Sequence, residues 1–221
     1  MLQHAGVPIQ HLYFIEDGLV SVLASADERN AVEVRLIGRE GVVGSEALLG
    51  IAASPLRHFV QIGGGALRIG ADDLIRAAAQ LPHLRNVLHS YLHDVLMQSS
   101  QSAACGLSHS LLQRLARWFL TAQDSCDTHE LTITQELLAR SLGVRRASVS
   151  EALKPLESDG IFARERGSIK ILDRARLEQL ACRCYRIMRP RQDKTQRGNG
   201  RGRLYALSLL LALVELELLA L

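Results

Sequence analysis

The sequence predicts an α+β fold in three parts: an N-terminal antiparallel β roll, a long helix, and a C-terminal helix-turn-helix followed by a hairpin. Two observations lead to this fold class. Before Asp72, short apolar runs are separated by turn residues, and from Asp72 onward apolar residues recur with a helical period. The 221 residues are 48% hydrophobic and 22% charged, as in a globular chain long enough for one or two domains.

The predicted roll consists of short strands separated by turns. Two apolar runs join at Asp17-Gly18, a dipeptide that supplies the positive φ angles of a tight hairpin. Apolar and charged residues then alternate over 32–36, as in a half-buried strand. A further pair of strands, around 57–62 and 66–69, is expected on either side of a three-glycine turn. We therefore assign residues 1–80 to the roll.

A longer helix is predicted over 81–108, because Pro82 is well placed in a first helical turn. Apolar residues recur along it at spacings of three and four, as in a coiled-coil seam: Leu84, Leu88, Tyr91 and Val95. Such a seam needs a partner helix, so the sequence predicts a homodimer that pairs two copies of this helix. The alternative is that the stripe packs on the chain's own sheet.

Two short amphipathic patterns meet at one glycine in the stretch TQELLARSLGVRRASVSEALKPLESDGI. Thr134 can cap the first helix, and Gly143 can adopt the left-handed conformation that ends it. Ala139 is small where the second helix has to cross. The other apolar positions fall where a helix-turn-helix needs them: Leu138, Leu142, Val144, Val149 and Ala152.

That packing leaves the outer face of the second helix free to bind a partner. The candidate contact residues on this face are Arg145, Arg146, Ser148, Ser150 and Glu151, and two more stand at the start of the first helix, Thr134 and Gln135. Arginine can bind guanine O6 and N7 in the major groove, and serine can reach phosphate or a base edge. Basic residues outnumber acidic ones over 111–189, whereas the reverse holds over 1–110. The sequence therefore predicts double-stranded DNA as the partner; the alternative is two core helices with a solvated polar face.

A hairpin with its turn at Gly167-Ser168 is predicted directly after the helix-turn-helix. Ile169 and Ile171 share one face, and cationic side chains are available to the other. The residues assigned to DNA here are Arg166, Ser168 and Lys170. The two cations would contact the DNA backbone and add affinity without reading sequence. A hairpin at this place is the wing of a winged helix, which we assign to 109–189; the alternative is a solvated hairpin face.

With these motifs the chain resembles Crp/Fnr-type bacterial transcription regulators over roughly residues 2–189. The likeness is strongest in RLARWFL, ITQELLARSLGVRRASVSEAL, RGSIKILDR and LEQLACRCY. The resemblance implies a cyclic-nucleotide-binding-like roll, a homodimer on a two-fold DNA site, and a ligand or redox signal that acts on the roll. It also implies RNA polymerase as a further partner. The family usually has a helix and further strands before the segment matching LQHAGVPIQHLYF, so we expect an incomplete, N-terminally truncated roll.

The effector segment departs from the pattern of the cyclic-nucleotide members of this family. Those members resemble one another in a Gly-Glu-x-x-Leu turn followed by Arg-Ser-Ala or Arg-Thr-Ala. Here the stretch is GSEALLGIAASPLRHF, with Glu46 displaced by one residue and Arg57 followed by His58-Phe59. Glu46 and Arg57 stay the candidate effector ligands, with a surface ion pair as the alternative. The sequence therefore predicts an unidentified small-molecule effector rather than cyclic AMP.

The C-terminal segment, 190–221, joins a basic linker to the apolar run LYALSLLLALVELELLAL. This run contains two acids, whereas a spanning helix needs about twenty predominantly apolar residues, so we expect no membrane partner. The alternative function is a membrane-attached or protein-interaction module that uses this run. The first residues lack a signal-peptide pattern, and four cysteines are too few for a disulfide scaffold, so we expect a cytoplasmic protein.

Enzymatic and metal sites are not predicted. The sequence has no P-loop, no GxSxG and no distinctive carboxylate pair. Two pairs of possible metal ligands have a spacing of four, without an evident third ligand: His89 with His93, and Cys105 with His109. Cys182 and Cys184 are two residues apart on a predicted helix, so their thiols diverge by about 200° and cannot easily share a metal ion. We therefore expect no metal and no cofactor, with oxidation of Cys105 or Cys126 as the alternative role for a cysteine.

Overall fold

A computed structural model describes residues 1–25, 31–39, 41–126, 128, 130–165 and 167–188. It has the α+β architecture that the sequence predicts: two antiparallel sheets, then a long helix, then a helical domain with a small sheet of its own. Arg166 and the predicted linker and tail, 190–221, lie outside the described residues.

The roll is built from two three-stranded antiparallel sheets. Its strands are β1 (His11–Ile15), β2 (Leu19–Ser25), β3 (Ala31–Ile37), β4 (Val42–Val43), β5 (Arg57–Ile62) and β6 (Ala66–Gly70). β1 lies between β4 and β6 in one sheet, and β2 lies between β3 and β5 in the other. Inward-facing side chains such as Leu12, Val22 and Val43 are buried. The predicted strands are therefore present, although their pairing differs from the prediction.

The predicted hairpin at Asp17-Gly18 is wrong, because β1 and β2 belong to different sheets. Gly18 has the positive φ that the dipeptide predicted, at 96°, but the turn carries the chain from one sheet to the other. The glycine connection between β5 and β6 makes the reverse crossing beside it, and the Gly65 carbonyl accepts from the Glu16 N–H at 3.0 Å. A Cβ on Gly64 would clash with the Asp17 carbonyl. Both crossings therefore need glycine because the two backbones touch.

The helices α1 (Ala71–Gln80) and α2 (Pro82–Ser108) follow the roll. α2 begins at Pro82, as predicted, and lays its apolar stripe on the roll of the same chain. Leu84 and Leu88 are 2% exposed. Tyr91 is also buried: its hydroxyl donates to the Val42 carbonyl at 3.1 Å and accepts from the Val42 N–H at 2.8 Å.

These contacts correct the predicted dimer seam. Leu84, Leu88, Tyr91 and the half-buried Val95 pack in the core of one protomer, so they are not available to a partner helix. The alternative interpretation, that the stripe packs on its own sheet, describes their position. A coiled-coil seam and a core-facing helix stripe have nearly the same spacing, which is why the periodicity alone did not distinguish them.

The C-terminal domain is a three-stranded sheet packed with helices. Its elements are α3 (Leu111–Cys126), β7 (Glu130–Leu131), α4 (Gln135–Leu142), α5 (Arg146–Ser158), β8 (Phe162–Glu165), β9 (Ser168–Ile171), α6 (Arg174–Leu180) and α7 (Cys184–Met188). β9 lies between β7 and β8. The α3 residues Trp118 and Phe119 are fully buried, and the Phe119 ring packs edge-on against Phe162 with centroids 4.6 Å apart. This core fixes α4 and α5 relative to the hairpin.

The C-terminal domain also packs against strand β3 of the roll. Glu33 on β3 accepts hydrogen bonds from Ser21 Oγ at 2.7 Å and from Trp118 Nε1 at 3.2 Å. Burial raises the pKa of the Glu33 carboxyl to about 7, although these hydrogen bonds and nearby Arg117 oppose the shift. Nearby, Gly143 at the end of α4 faces Val32, since a Cβ on Gly143 would lie 3.4 Å from a Val32 methyl. The roll therefore touches the turn between α4 and α5.

Candidate DNA-binding surface

The turn between α4 and α5 has the geometry that its sequence predicts. Thr134 caps α4, with its hydroxyl accepting from the Leu137 N–H at 3.2 Å. Gly143 ends α4 in the left-handed conformation, at φ 64° and ψ 38°. The Val144 N–H then donates to the Ala139 carbonyl at 3.0 Å, so the last turn of α4 is closed by backbone hydrogen bonds.

Apolar contacts hold the two helices at a fixed angle. Leu138, Ala139 and Leu142 of α4 are buried against Val149 of α5, which is fully buried. Ala139 is 4% exposed, and a larger side chain there would push the helices apart. Because the inner side of α5 is committed to this core, its other side faces solvent.

The first turn of α5 carries the exposed cations of this outer face. Arg145 precedes the helix in extended conformation and Arg146 is its first residue, and both are exposed, as is Glu151 further along. Within the part of the chain that the structure describes, neither guanidinium makes an ion pair. The helix N-terminus adds a positive dipole end beside them. Ser148 and Ser150 are half-buried and so less accessible than predicted.

A groove of about 620 Å³ lies between the start of α4, the start of α5 and the hairpin. Thr134, Gln135 and Arg146 line it together with the hairpin residues Gly167 and Ser168. The structure therefore brings residues from both ends of the predicted contact set to one surface. The pairing of β9 with both β8 and β7 holds the hairpin next to the segment that leads into α4.

The hairpin has its turn one residue earlier than predicted, because Ser168 already pairs with Glu165. Ile169 and Ile171 are buried and Lys170 is exposed, as the alternation predicts. Ser168 corrects the prediction of a DNA contact: its side chain is 8% exposed, and its hydroxyl donates to Glu130 Oε1 at 2.7 Å. That hydrogen bond ties β9 to β7, so Ser168 has a structural partner already.

A cation that the sequence analysis missed also lines the groove. Arg164 on β8 is 40% exposed and its Nε lies 2.7 Å from Glu157 Oε1 of α5. This ion pair joins the hairpin to α5. In an ideal strand Arg164 shares a face with Phe162, which is buried, so alternation along the hairpin gave no signal for an exposed Arg164.

The two candidate effector ligands lie apart in the roll. Glu46 Oε1 accepts from Ser54 Oγ at 3.1 Å and lies 3.8 Å from His58 Nε2, whereas Arg57 donates to Ser25 Oγ at 2.9 Å. Arg57 and His58 are consecutive in β5, so their side chains leave opposite faces of the strand. Among the described residues Glu46 and Arg57 therefore do not form the surface ion pair of the alternative, and their role as effector ligands stays a prediction. His58 is fully buried, and burial lowers its pKa.

The structure gathers two pairs that the sequence analysis did not connect: Cys105 with His109, and Cys182 with Cys184. Their ligand atoms all lie within 4.8 Å of one another. The divergence that was expected of Cys182 and Cys184 does not occur, because α6 ends at Leu180 and the two cysteines lie in and after the connection to α7. This corrects the prediction that the two thiols cannot converge. His89 and His93, in contrast, are exposed on α2.

The remaining expectation for the cysteines concerned oxidation of single thiols. Burial raises the pKa of the Cys126 thiol to about 11 and that of the Cys105 thiol to about 12. The thiolate is the reactive form, so burial lowers the fraction of each thiol that is ready to react. Oxidation of Cys105 or Cys126 stays a hypothesis.

Comparisons with known proteins agree with this geometry. The family model described as the Crp-like helix-turn-helix domain matches residues 113–180. The curated transcriptional regulator SdrP of Thermus thermophilus is 26% identical over 180 residues, covering 79% of this chain and 85% of the relative.

Two solved structures have a similar fold. TTHB099, a CRP family transcriptional regulator from Thermus thermophilus, has a TM-score of 0.67 at 22% identity and covers 81% of this chain and 92% of its own. FixK2 from Bradyrhizobium japonicum has a TM-score of 0.69 at 17% identity, with 82% and 92% covered. Among the described helices, none combines the length and the hydrophobicity that a bilayer crossing requires.

Proposed function

We propose that this chain, a Crp/Fnr-type transcriptional regulator with a helix-turn-helix DNA-binding domain, binds a two-fold DNA site as a homodimer. Each α5 would enter the major groove, and each hairpin would lie along the backbone. The observation that carries this proposal is the exposed start of α5, where Arg146 lines the groove next to the hairpin and the exposed Arg145 precedes it. A helix N-terminus with free arginines suits both phosphate and guanine.

The set of residues that we assign to DNA is smaller than the set predicted from the sequence, because Ser168 is left out. Arg145 and Arg146 are assigned to the major groove, and Lys170 to the backbone. Thr134 and Gln135 lie at the N-terminus of α4, where that helix meets the phosphate chain in a helix-turn-helix. Further along α5, weaker contacts are assigned to Ser148, Ser150 and Glu151. From its position in the sequence, Arg166 is proposed to contact the DNA backbone.

A different face of α2 supports the homodimer. Leu96 and Leu107 are 64% and 91% exposed, and eleven residues of helix place them on nearly the same side. The small residue Ala103 lies between them on this stripe and is exposed too. Large apolar side chains that face solvent in a line are typical of a helix that packs on a second helix. The partner we propose is the same stripe of a second copy.

Strand β3 provides a route from the roll to the DNA-binding domain. It carries Glu33, which binds Trp118 of α3, and Val32, which faces Gly143. From the neighbouring β5, Gln61 Nε2 donates to Ser141 Oγ of α4 at 3.4 Å. A shift of these strands would therefore move the α4–α5 turn. We propose that an effector in the roll acts through this contact; the effector is a small molecule whose identity stays open.

The proposal extends to the cellular setting that such a regulator needs. A protein that binds chromosomal DNA works in the cytoplasm, with RNA polymerase as the partner through which transcription changes. The relatives that the comparisons name are transcriptional regulators, and the proposal includes no enzymatic step.

The test is to map the DNA bound in cells and to footprint the purified full chain on the sites found. We expect two-fold symmetric sites whose half-sites are centred about 34 Å, one helical turn, apart. Sites without symmetry would contradict the dimer. A chain that sediments with membranes and leaves no footprint would instead support the membrane-attached alternative.

A further inference from the structure

The buried cysteine cluster joins two distant parts of the chain. Cys105 is in the last turn of α2 and is fully buried, and His109 follows the end of that helix. Cys182 and Cys184 come from the connection after α6 and the start of α7 and are 4% and 0% exposed. The cluster therefore lies where the long helix meets the far end of the DNA-binding domain.

The spacing of the cluster fits one tetrahedrally bound ion. Cys105 Sγ lies 3.5 Å from Cys182 Sγ, and Cys184 Sγ lies 3.6 Å from His109 Nδ1. With metal–sulfur bonds of about 2.3 Å, the ligand atoms of a tetrahedron are about 3.7 Å apart. The two contacts correspond to opposite edges of such a tetrahedron. The other pairs are within 4.8 Å, so a small contraction completes it.

The surroundings supply the charge and the hydrogen bonds that such a site needs. Three thiolates around a divalent cation leave one negative charge. The Arg117 guanidinium is 8% exposed, interacts electrostatically with Cys105, and has no hydrogen-bond partner for its Nε within the described residues. Gln101 Nε2 donates to Cys184 Sγ at 3.1 Å, which is the kind of outer contact that orients a metal ligand.

We propose that Cys105, His109, Cys182 and Cys184 bind one Zn²⁺ ion in a closed structural site. Three cysteines and one histidine form a known donor set for structural zinc, and soft thiolates favour it over magnesium or calcium. A cluster of several iron and sulfide ions would hold the four ligands farther apart than this compact arrangement. Binding releases the thiol protons to solvent, and the ion contributes to folding because the unfolded chain does not hold the four ligands together.

The site would fix the DNA-binding domain on the long helix. From the same region of α3, Arg114 donates to the Leu142 carbonyl at 2.6 Å, directly before the turn between α4 and α5. Arg114 also interacts electrostatically with Cys105 and Cys182. Metal loss would thus loosen the connection at both the dimerisation helix and the helix-turn-helix. This inference does not depend on DNA binding.

The experiment uses the full chain purified without oxygen and with a reductant, followed by zinc analysis and exchange for Co²⁺. We expect one Zn²⁺ per chain, and after exchange the visible bands of tetrahedral Co²⁺ with thiolate-to-cobalt charge transfer. Outer-sphere changes weaken a metal site by about 10- to 100-fold, so losing a ligand in Cys184→Ser should weaken Co²⁺ binding by at least about 100-fold. Cys126→Ser, outside the cluster, is the matched control and should bind as the wild type does.

A second variant keeps the test decisive if Cys184→Ser does not fold. His109 is the least buried ligand and lies just past a helix end, so His109→Ala should keep its circular dichroism, bind Co²⁺ more weakly and shift the visible bands, because water replaces the imidazole beside three thiolates. Two results would overturn the proposal: wild-type protein that gives only an octahedral Co²⁺ spectrum, or equal loss of binding in Cys126→Ser. Wild-type protein that is isolated without zinc and already carries a Cys105–Cys182 disulfide, seen by mass spectrometry, would also overturn it and assign the pair to redox chemistry.

Discussion

Replacing Arg146 with alanine tests whether α5 reads bases. The side chain is exposed in the first turn of α5 and makes no ion pair among the described residues, so its loss should leave the fold intact. A bidentate contact to guanine contributes about 1 to 3 kcal/mol of discrimination. A homodimer has this contact in each half-site, so the two-fold site should lose about 2 to 6 kcal/mol. Affinity for the operator should therefore fall at least about 25-fold.

The matched control is Lys154→Ala on the same helix. Lys154 is exposed and lies eight residues further along α5, about 12 Å along the axis and away from the groove. Both variants and the wild type are titrated on the operator and on a scrambled duplex at several salt concentrations. Arg146→Ala should lose affinity mainly on the operator, whereas Lys154→Ala should keep the wild-type ratio between the two duplexes.

An equal loss on both duplexes would refute the reasoning. In that case Arg146 binds phosphate, and the helix reads bases through another residue. A comparable loss of specificity in Lys154→Ala would show that α5 lies in the groove at an angle different from the one proposed.

Four further outcomes are expected. The double variant Leu96→Glu and Leu107→Glu should sediment as a monomer and bind a single half-site only, because it places charges in the proposed helix pair; an unchanged dimer would show that another surface pairs. Lys170→Ala should weaken binding to the operator and to scrambled DNA alike and lower the slope of log affinity against log salt by about one. An unchanged slope would show that Lys170 of the hairpin does not contact the phosphate backbone. The Glu33 pKa is raised in the fold from its usual 4.5 to about 7, so its contribution to stability is full below pH 4.5 and is lost as the pH rises through 7. Chemical denaturation should show that the free energy of unfolding of the wild type falls by up to about 3 kcal/mol relative to that of Glu33→Gln between pH 4.5 and 7. If the free energies of the two proteins changed in parallel with pH, Glu33 would not be the titrating group. Calorimetry should show no micromolar binding of cyclic AMP, since Glu46 is engaged by Ser54 and Arg57 by Ser25; tight binding would show that the roll accepts the ligand in another way.

Local chemistry made the helix-turn-helix predictable. Thr134, Ala139 and Gly143 each act within a few residues of chain: a cap, a helix crossing and a left-handed helix end. These roles depend on spacing and on the properties of single residues, so the sequence carries them in full. The strands of the roll and the start of α2 at Pro82 were predictable for the same reason.

Contacts between distant segments decided which strands pair and which way individual side chains face. Asp17-Gly18 has turn chemistry whether it closes a hairpin or joins two sheets, and only the neighbouring glycine crossing shows which it does. Leu88 has a helical spacing that serves a core or a dimer equally, and the roll beneath α2 makes it a core residue. The alternation of β9 predicts that the Ser168 side chain faces outward, yet its hydroxyl donates a hydrogen bond to Glu130 of β7.

The sequence by itself determined the α+β class, the winged helix-turn-helix and the cations of α5, because each follows from periodicity, caps and turns within short stretches. The tertiary structure alone decided the sheet pairing, the face of α2 that is free for a partner, and the convergence of Cys105 with Cys182 and Cys184. Those features depend on which surfaces meet between segments that are distant in sequence, such as Val42 with Tyr91 and Cys105 with Cys182. The number of ways such segments can meet is limited by packing, not by local propensity.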